Sequence, residues 1–364
     1  MATATPAAFG AKRLLSSAAH TLRTADPVEV LAPFIDESLA LPAGARAYQR
    51  PHAFETRFSE RAPRNLALDM SVGDPSAPGS ERTNGATKAM RYLVNGSFGT
   101  EALRWFDGRS EALRYGSADA WTSSGFDRDG LRQTEVTYAW GPQTTDSLTM
   151  AIHDAVQTAV TAMPSLRPAL TTVSCGRSYG SQEITFGVDG ALRLDDLRPL
   201  MDRFGLGGQH TRLVNALAFV LGARFTLPPE TTLVTLRPTR AGMELRVDVD
   251  LGAIPDVPPN VASLLQLQMV ERPQSLAALE HWVDAMTPVG FLSPGSLSVL
   301  SVIVRPDLGP RLAIDMRPSV VAGEPLPAEV HPPATPGPPP AATVVPGSPM
   351  PVAAGYRSPW DPRS

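Results

Sequence analysis

Five times along this chain, two runs of alternating residues are joined by a short turn. Side chains on a strand point alternately to two faces, so such runs dictate which side can be buried. The last pair reads SLSVLSVIVRPDLGPRLAIDMRP and turns around residues 306–310. TTLVTLRPTRAGMELRVDVDLG turns at 239–242, and ALTTVSCGRSYGSQEITFGVDG turns near 178–180. SGFDRDGLRQTEVTYAWG turns at Asp129 and Gly130, and HAFETRFSERAPRNLALDMSVG around 61–63. Glycine, proline and aspartate at these joints are hairpin punctuation. The first and last pairs even share a phrase, LALDM at 66–70 and LAIDM at 312–316.

Between the hairpins lie helical patterns. FGAKRLLSSAAHTLR puts Leu14, Leu15, Ala18 and Leu22 on one face, and TDSLTMAIHDAVQTAVTAM repeats apolar residues at Leu148, Ile152, Val156 and Val160. LDDLRPLMDRFG opens with Asp195 and Asp196, suited to a helix N-terminus, and HTRLVNALAFVLGARF follows it. VASLLQLQMVERPQSLAALEHWVDAM is a helical pair broken near Pro273, while AMRYLVNGSF and EALRWFDGRSEAL fill the gap after the first hairpin. The chain therefore repeats helices and a hairpin five times, at a period of roughly 50 to 65 residues. GDPSAPGSERTNGA, residues 73–86, reads as a surface loop.

The second strands have one apolar and one polar or small face. Leu312, Ile314 and Met316 oppose Ala313, Asp315 and Arg317; Leu245, Val247, Val249 and Leu251 oppose Arg246, Asp248 and Asp250; Val136, Tyr138 and Trp140 oppose Glu135, Thr137 and Ala139. Ten antiparallel strands of this kind can close into a barrel, which leaves no exposed edge. Helices would then cover the apolar face, the polar face would line a lumen, and the first and last units would meet. The other arrangement is an open helix-on-sheet sandwich with Asp69, Asp250 and Asp315 facing water.

Composition narrows the function classes. Of 364 residues, 43% are hydrophobic, enough for a sizeable core. A net charge of −4 without a basic run argues against nucleic acid as a partner. No apolar run is long enough to span a membrane. Cys175 is the single cysteine, so intramolecular disulfides are excluded and small core filler is its plain reading; a reducing cytoplasm is the expected setting. The six histidines are scattered without metal-ligand spacing. Gly205 to Gly208 lacks the strand context of a phosphate loop and reads as a helix stop. Met150, Met163 and Met201 read as helix-face packing. Residues 1–322 form the expected folded unit. Residues 323–364, rich in proline, cannot bury enough apolar surface to order, and read as a disordered tail open to a partner protein.

Four segments, in this order, resemble the aromatic prenyltransferases of the dimethylallyltryptophan synthase type, the bacterial branch in particular. They are FGAKRLLSSAAHTLR, then Ala53-Phe54-Glu55, then Gly125-Phe126-Asp127 with Glu135-Val136-Thr137, then GPRLAIDMRP. The chain is similar, more loosely, to the cyanobactin peptide prenyltransferases. The likeness runs from about Phe9 to about Val321 and rests on order, not on a strict signature. It implies an α+β fold, the (αββα)5 prenyltransferase barrel with ten antiparallel strands around a lumen. It also implies an allyl diphosphate and an aromatic acceptor as substrates, with no metal or cofactor required. Glu55 matches the family's glutamate, which binds the acceptor N–H and helps remove a proton; read from the residues alone, it is an edge carboxylate near Arg57 and Arg64.

This sequence departs from the family's pattern. Ala67 stands where the family has an arginine, and Thr137 and Thr185 where it has lysines. Its cation-shielding tyrosines would fall near Ala139, Gly187, Asp248 and Asp315. Asp69, Asp248, Asp250 and Asp315 give the polar face a carboxylate character, with Arg246 and Arg317 on the same side. A diphosphate cradle would have to come from Arg57, Arg177, Arg237, Arg246 and Arg305, each of which singly also reads as a solvated or turn arginine. The alternatives are a barrel that binds a cationic or polyhydroxylated ligand or a partner protein, and an enzyme that works through its aspartates.

Overall fold

The computed structural model describes residues 5–39, 54–72, 77–117, 119–141, 144–178, 180–291 and 293–322. The tail at 323–364 and the positions Ala53 and Tyr179 lie outside them. In chain order the strands are β1 (Phe54–Ser59), β2 (Leu66–Met70), β3 (Ala120–Asp127), β4 (Gly130–Ala139), β5 (Leu166–Gly176) and β6 (Gly180–Val188). They continue with β7 (Leu192–Arg193), β8 (Thr226–Leu227), β9 (Thr232–Thr239), β10 (Gly242–Asp250), β11 (Gly295–Arg305) and β12 (Leu308–Pro318). Ten of them form a closed antiparallel barrel, β1-β12-β11-β10-β9-β6-β5-β4-β3-β2; β7 and β8 pair with each other separately. All five expected hairpins are present. The open sandwich is thereby set aside, because β1 pairs with both β2 and β12 and leaves no edge.

The helices α1 (Pro6–Leu22), α2 (Val28–Ser38), α3 (Gly79–Gly116), α4 (Met150–Ala162), α5 (Arg198–Arg203), α6 (His210–Val220), α7 (Val261–Gln268) and α8 (Pro273–Met286) cover the barrel. Leu14, Leu15, Ala18 and Leu22 of α1 are buried as the spacing predicts. On their outward faces the strands present Phe54, Phe58, Leu68, Phe186, Val247, Leu312 and Ile314, all buried in one core beneath the helices. Trp282 of α8 stacks obliquely on Phe58, ring centroids 6.0 Å apart. Burying side chains of this size contributes about 1.5–3 kcal/mol each. A buried ion pair also joins helix layer to barrel. Glu60 accepts from Arg272 Nε at 2.7 Å and from the Leu312 backbone N–H at 2.6 Å.

Two expectations need correction. The segment 73–86 is not one loop, because α3 begins at Gly79 and buries Thr83 and Ala86. The two helices expected next are both present within α3, divided at Gly99, whose φ of 85° and ψ of −177° break the helical path. Of the three methionines, Met163 and Met201 are buried but Met150 is 80% exposed, since the first residue of α4 points off its packed face.

Candidate functional site

Strand register decides which side chains share the lumen. Across the ladder, Glu55 faces Asp69, Asp69 faces Ser123, and Ser123 faces Glu135. Glu135 faces Ser174, Thr185 faces Thr235, Thr235 faces Arg246, and Asp248 faces Ser301. Ala313 faces Ser59 and Asp315 faces Arg57, which closes the ring. The polar faces inferred from alternation thus meet inside one barrel. Hydroxyls pair along this wall: Thr137 with Thr172 and Thr185 with Thr235, each at 2.8 Å. Among the described strand positions of this face, Trp121 is the single aromatic. Tyr138 points outward to α3, where its hydroxyl meets Thr87 at 3.0 Å.

Two arginines organise the interior. β1 lies between β2 and β12, so the aspartates of the two sister phrases flank it. Arg57 donates from Nε to Asp315 Oδ1 at 2.5 Å, and from Nη2 to Asp315 Oδ2 and Asp69 Oδ2, both at 2.9 Å. The repeated phrase is therefore one ion cluster, written once on each side of the barrel seam. Burial works against the Arg57 charge, but Asp315 and Asp69 outweigh it and hold its pKa well above the ordinary value. On β10, Arg246 donates from Nε to Asp248 at 2.9 Å and from Nη2 toward Glu183 at 3.4 Å and Thr235 at 3.3 Å. Ser301 donates to the other Asp248 oxygen at 2.6 Å. Burial again opposes the charge, and Asp248 and Glu183 raise the Arg246 pKa above the ordinary value.

The carboxylates carry the cost. Burial pushes the Asp69 carboxyl above its ordinary value near 3.8, against the pull of Arg57, with Asp315 adding to the rise. Burial does the same to Glu183 above its ordinary 4.5, against Arg246, with Glu135 adding to it. A carboxylate whose pKa is raised on folding leaves stability intact below its ordinary pKa and lowers it as pH climbs through the raised one. Relative to Asp69→Asn, wild type is therefore expected to lose stability as pH rises from the ordinary carboxylate value of 3.8 toward neutrality. Urea unfolding of both proteins across that range measures the difference. A flat or opposite trend would show that Asp69 is ionised without penalty.

A cavity of about 220 Å³ opens at the hairpin end of the lumen, with Arg57, Arg237, Arg246, Asp69, Glu135 and Glu244 in its wall. Arg237 donates to Ser181 at 3.1 Å. Arg61 and Arg132 also line it, from the β1–β2 turn and from β4. Glu55 shares the lumen face but lies one strand repeat deeper than Arg57, and is 5% exposed. Of the five arginines singled out from sequence, three reach this cavity. Arg177 sits at the β5–β6 tip, paired with Asp127 at 2.8 Å, and Arg305 pairs with Asp307 inside its own turn at 2.6 Å. Ala67 lines the cavity, and Thr137 and Thr185 face the lumen by register, so the positions matched to the family's basic residues point inward without a charge.

Sequence reasoning passed over Glu183, Glu244, Arg61 and Arg132. Glu183 and Glu244 alternate in phase with Thr185 and Arg246, so the same period-two count locates them; Arg61 is a turn residue and carries no such signal. Among the described residues no three His, Cys, Asp or Glu side chains converge as metal ligands. None of the described helices is long and apolar enough to cross a membrane.

No family model matches this sequence, and no curated protein does. Solved structures do match. The 6-dimethylallyltryptophan synthase from Micromonospora olivasterospora, in complex with DMASPP and Trp, superposes with a TM-score of 0.66 at 13% identity, covering 86% of this chain and 98% of that one. The 5-dimethylallyl tryptophan synthase from Streptomyces coelicolor, also in complex with DMASPP and Trp, gives 0.64 at 13% identity, covering 91% and 100%. AnaPT from Neosartorya fischeri gives 0.59 at 11% identity, covering 80% and 86%. The resemblance read from the sequence is met at the level of the fold, a prenyltransferase barrel.

Proposed function

We propose that this barrel binds an allyl diphosphate in its lumen and transfers the prenyl group to an aromatic acceptor of the indole or phenol type, free or within a peptide. The observation that carries the reading is the arginine-bearing cavity at one end of a barrel shared with enzymes solved in complex with DMASPP and Trp. A departing diphosphate gathers negative charge and needs charge-assisted donors in place before the bond breaks. Arg57, Arg237 and Arg246 face that volume. Asp69 and Asp315 hold Arg57 from the side, and Asp248 holds Arg246, so these aspartates act as positioning residues for the guanidinium groups. In this reading Glu55, deeper on the face that carries Arg57, takes the proton that the acceptor ring or its N–H gives up after carbon–carbon bond formation. In this reading the donor's phosphates sit toward the mouth and the acceptor below them.

A second reading is favoured by one observation. The wall offers Thr137, Thr172, Thr185 and Thr235 hydroxyls with Trp121 as its aromatic, a poor shield for an allyl cation. A barrel that holds a ligand or partner protein without turnover fits that wall.

Calorimetric titration with dimethylallyl thiolodiphosphate separates the two. Saturable micromolar binding is expected, with Arg246→Ala weakening it by about tenfold or more. With an acceptor present, Glu55→Gln is expected to lower product formation while leaving donor affinity unchanged. Failure to bind donor at millimolar concentration would remove the enzyme reading. Binding without product across indole and phenol acceptors would leave the binding barrel.

A further inference from the structure

The rim of the cavity holds an ion pair that strand alternation does not explain. Arg61, in the turn between β1 and β2, donates from Nη1 to Glu244 Oε2 on β10. Two strands, β12 and β11, separate β1 from β10 in the ring, so this contact strides over the barrel rim. Both residues line the cavity. Glu244 is nearly buried, its side chain 6% exposed, whereas Arg61 is 28% exposed. Glu244 also stands opposite Arg237 in the ladder and two residues before Arg246 on the same face. One buried carboxylate therefore sits where the rim and strand arginines converge.

We propose that Glu244 is a resident counterion at an anion-binding rim, and that a diphosphate-bearing ligand displaces it from Arg61. The inference rests on the reading that the cavity takes a diphosphate. Arg61 comes from a turn and reaches its partner by its side chain alone, so it can exchange partners without breaking the ladder. A diphosphate offers it more charge than one carboxylate. Glu244 stays beside the ligand and repels it, which lowers affinity by an amount set by one unit charge at close range. The device keeps the rim guanidinium compensated while the site is empty and makes it available when polyanion arrives. Arg61 would thus be a donor-binding residue, and Glu244 a determinant of affinity.

The test is titration of inorganic diphosphate and of dimethylallyl thiolodiphosphate into the full chain, Glu244→Gln, Arg61→Gln and the double variant. Glu244→Gln is expected to bind both ligands roughly tenfold more tightly than wild type. Arg61→Gln is expected to bind them more weakly, by a similar factor. In the double variant the gain from Glu244→Gln shrinks, since part of that gain is the release of Arg61. A pair with a merely structural role would lower melting temperature in both single variants without opposite effects on affinity. Should Glu244→Gln not fold, Arg61→Gln decides alone, and unchanged affinity overturns the exchange. Wild-type binding with no tightening in Glu244→Gln also overturns it, and leaves the donor reading standing. No saturation in any variant removes the donor reading itself, and the exchange with it.

Discussion

Replacing Arg57 by methionine is expected to destabilise the barrel by about 3–5 kcal/mol at neutral pH, the cost of breaking a buried ion pair from one side. Methionine keeps the stem's packing but removes the cation shared by Asp69 and Asp315. Two carboxylates, one 10% and the other 4% exposed at the side chain, then face each other across β1 with no counter-charge between them. Asp69, which burial already pushes above its ordinary value against the pull of Arg57, would bind a proton more tightly still in the folded state. The penalty should therefore shrink as pH falls toward the ordinary carboxylate range and grow as it rises. Adding Asp69→Asn and Asp315→Asn to Arg57→Met should recover most of the loss, because the harm lies in the stranded charges. Urea unfolding of wild type, single and triple variants measures all of this. A loss under about 1 kcal/mol for Arg57→Met would mean that water, not arginine, compensates these aspartates.

Gly295→Ala is expected to cost about 3 kcal/mol or more, for a different reason. Gly295 opens β11 with φ of 149°, paired to Pro318 at the far end of β12. A Cβ there would stand 2.0 Å from the Arg317 carbonyl oxygen, which is ladder backbone and cannot rotate away. Strain in φ and the clash add. The variant should either shift the start of β11 or lose the end of its pairing with β12. Gly187→Ala is the control. Gly187 faces the lumen, and a methyl there meets only the Ala169 side chain at 3.9 Å, so less than about 1 kcal/mol is expected. Thermal unfolding of both variants compares the two. Equal small losses would show that the start of β11 adapts freely.

The barrel was legible because a hairpin states its own geometry. Alternation in β10 and β12, with turn residues such as Gly130 and Gly242 at φ of 108° and 114°, leaves few ways to arrange each pair. Helix boundaries were less legible. The polar run at 73–86 gives no local sign that α3 already begins at Gly79, whereas the break at Gly99 falls between the two helical patterns. The site was legible only in part. Period-two counting put Asp69, Arg246, Asp248 and Asp315 on one face, but not who pairs with whom. Arg177 and Arg305 looked equivalent to Arg237 as cradle candidates, yet Asp127 of the neighbouring β3–β4 hairpin holds Arg177, and Asp307 holds Arg305 within its own turn.

What the residues settle unaided is local and periodic: five hairpins, helices between them, and a polar face on the strands opposite an apolar one. Covalent geometry and the burial of apolar side chains act within a few residues, so a linear reading captures them. Closure of the ring is a long-range event. It places β1 between two strands some 250 residues apart in the chain, Asp69 of one at 12 positions and Asp315 of the other at 258 from Arg57. The same closure sets Arg61 against Glu244, 183 positions away. Charge pairing depends on distance in space, and in a low-dielectric lumen a few ångströms decide whether an arginine meets a carboxylate or an empty cavity. Only the tertiary structure determines that distance, and with it which arginines can meet a ligand.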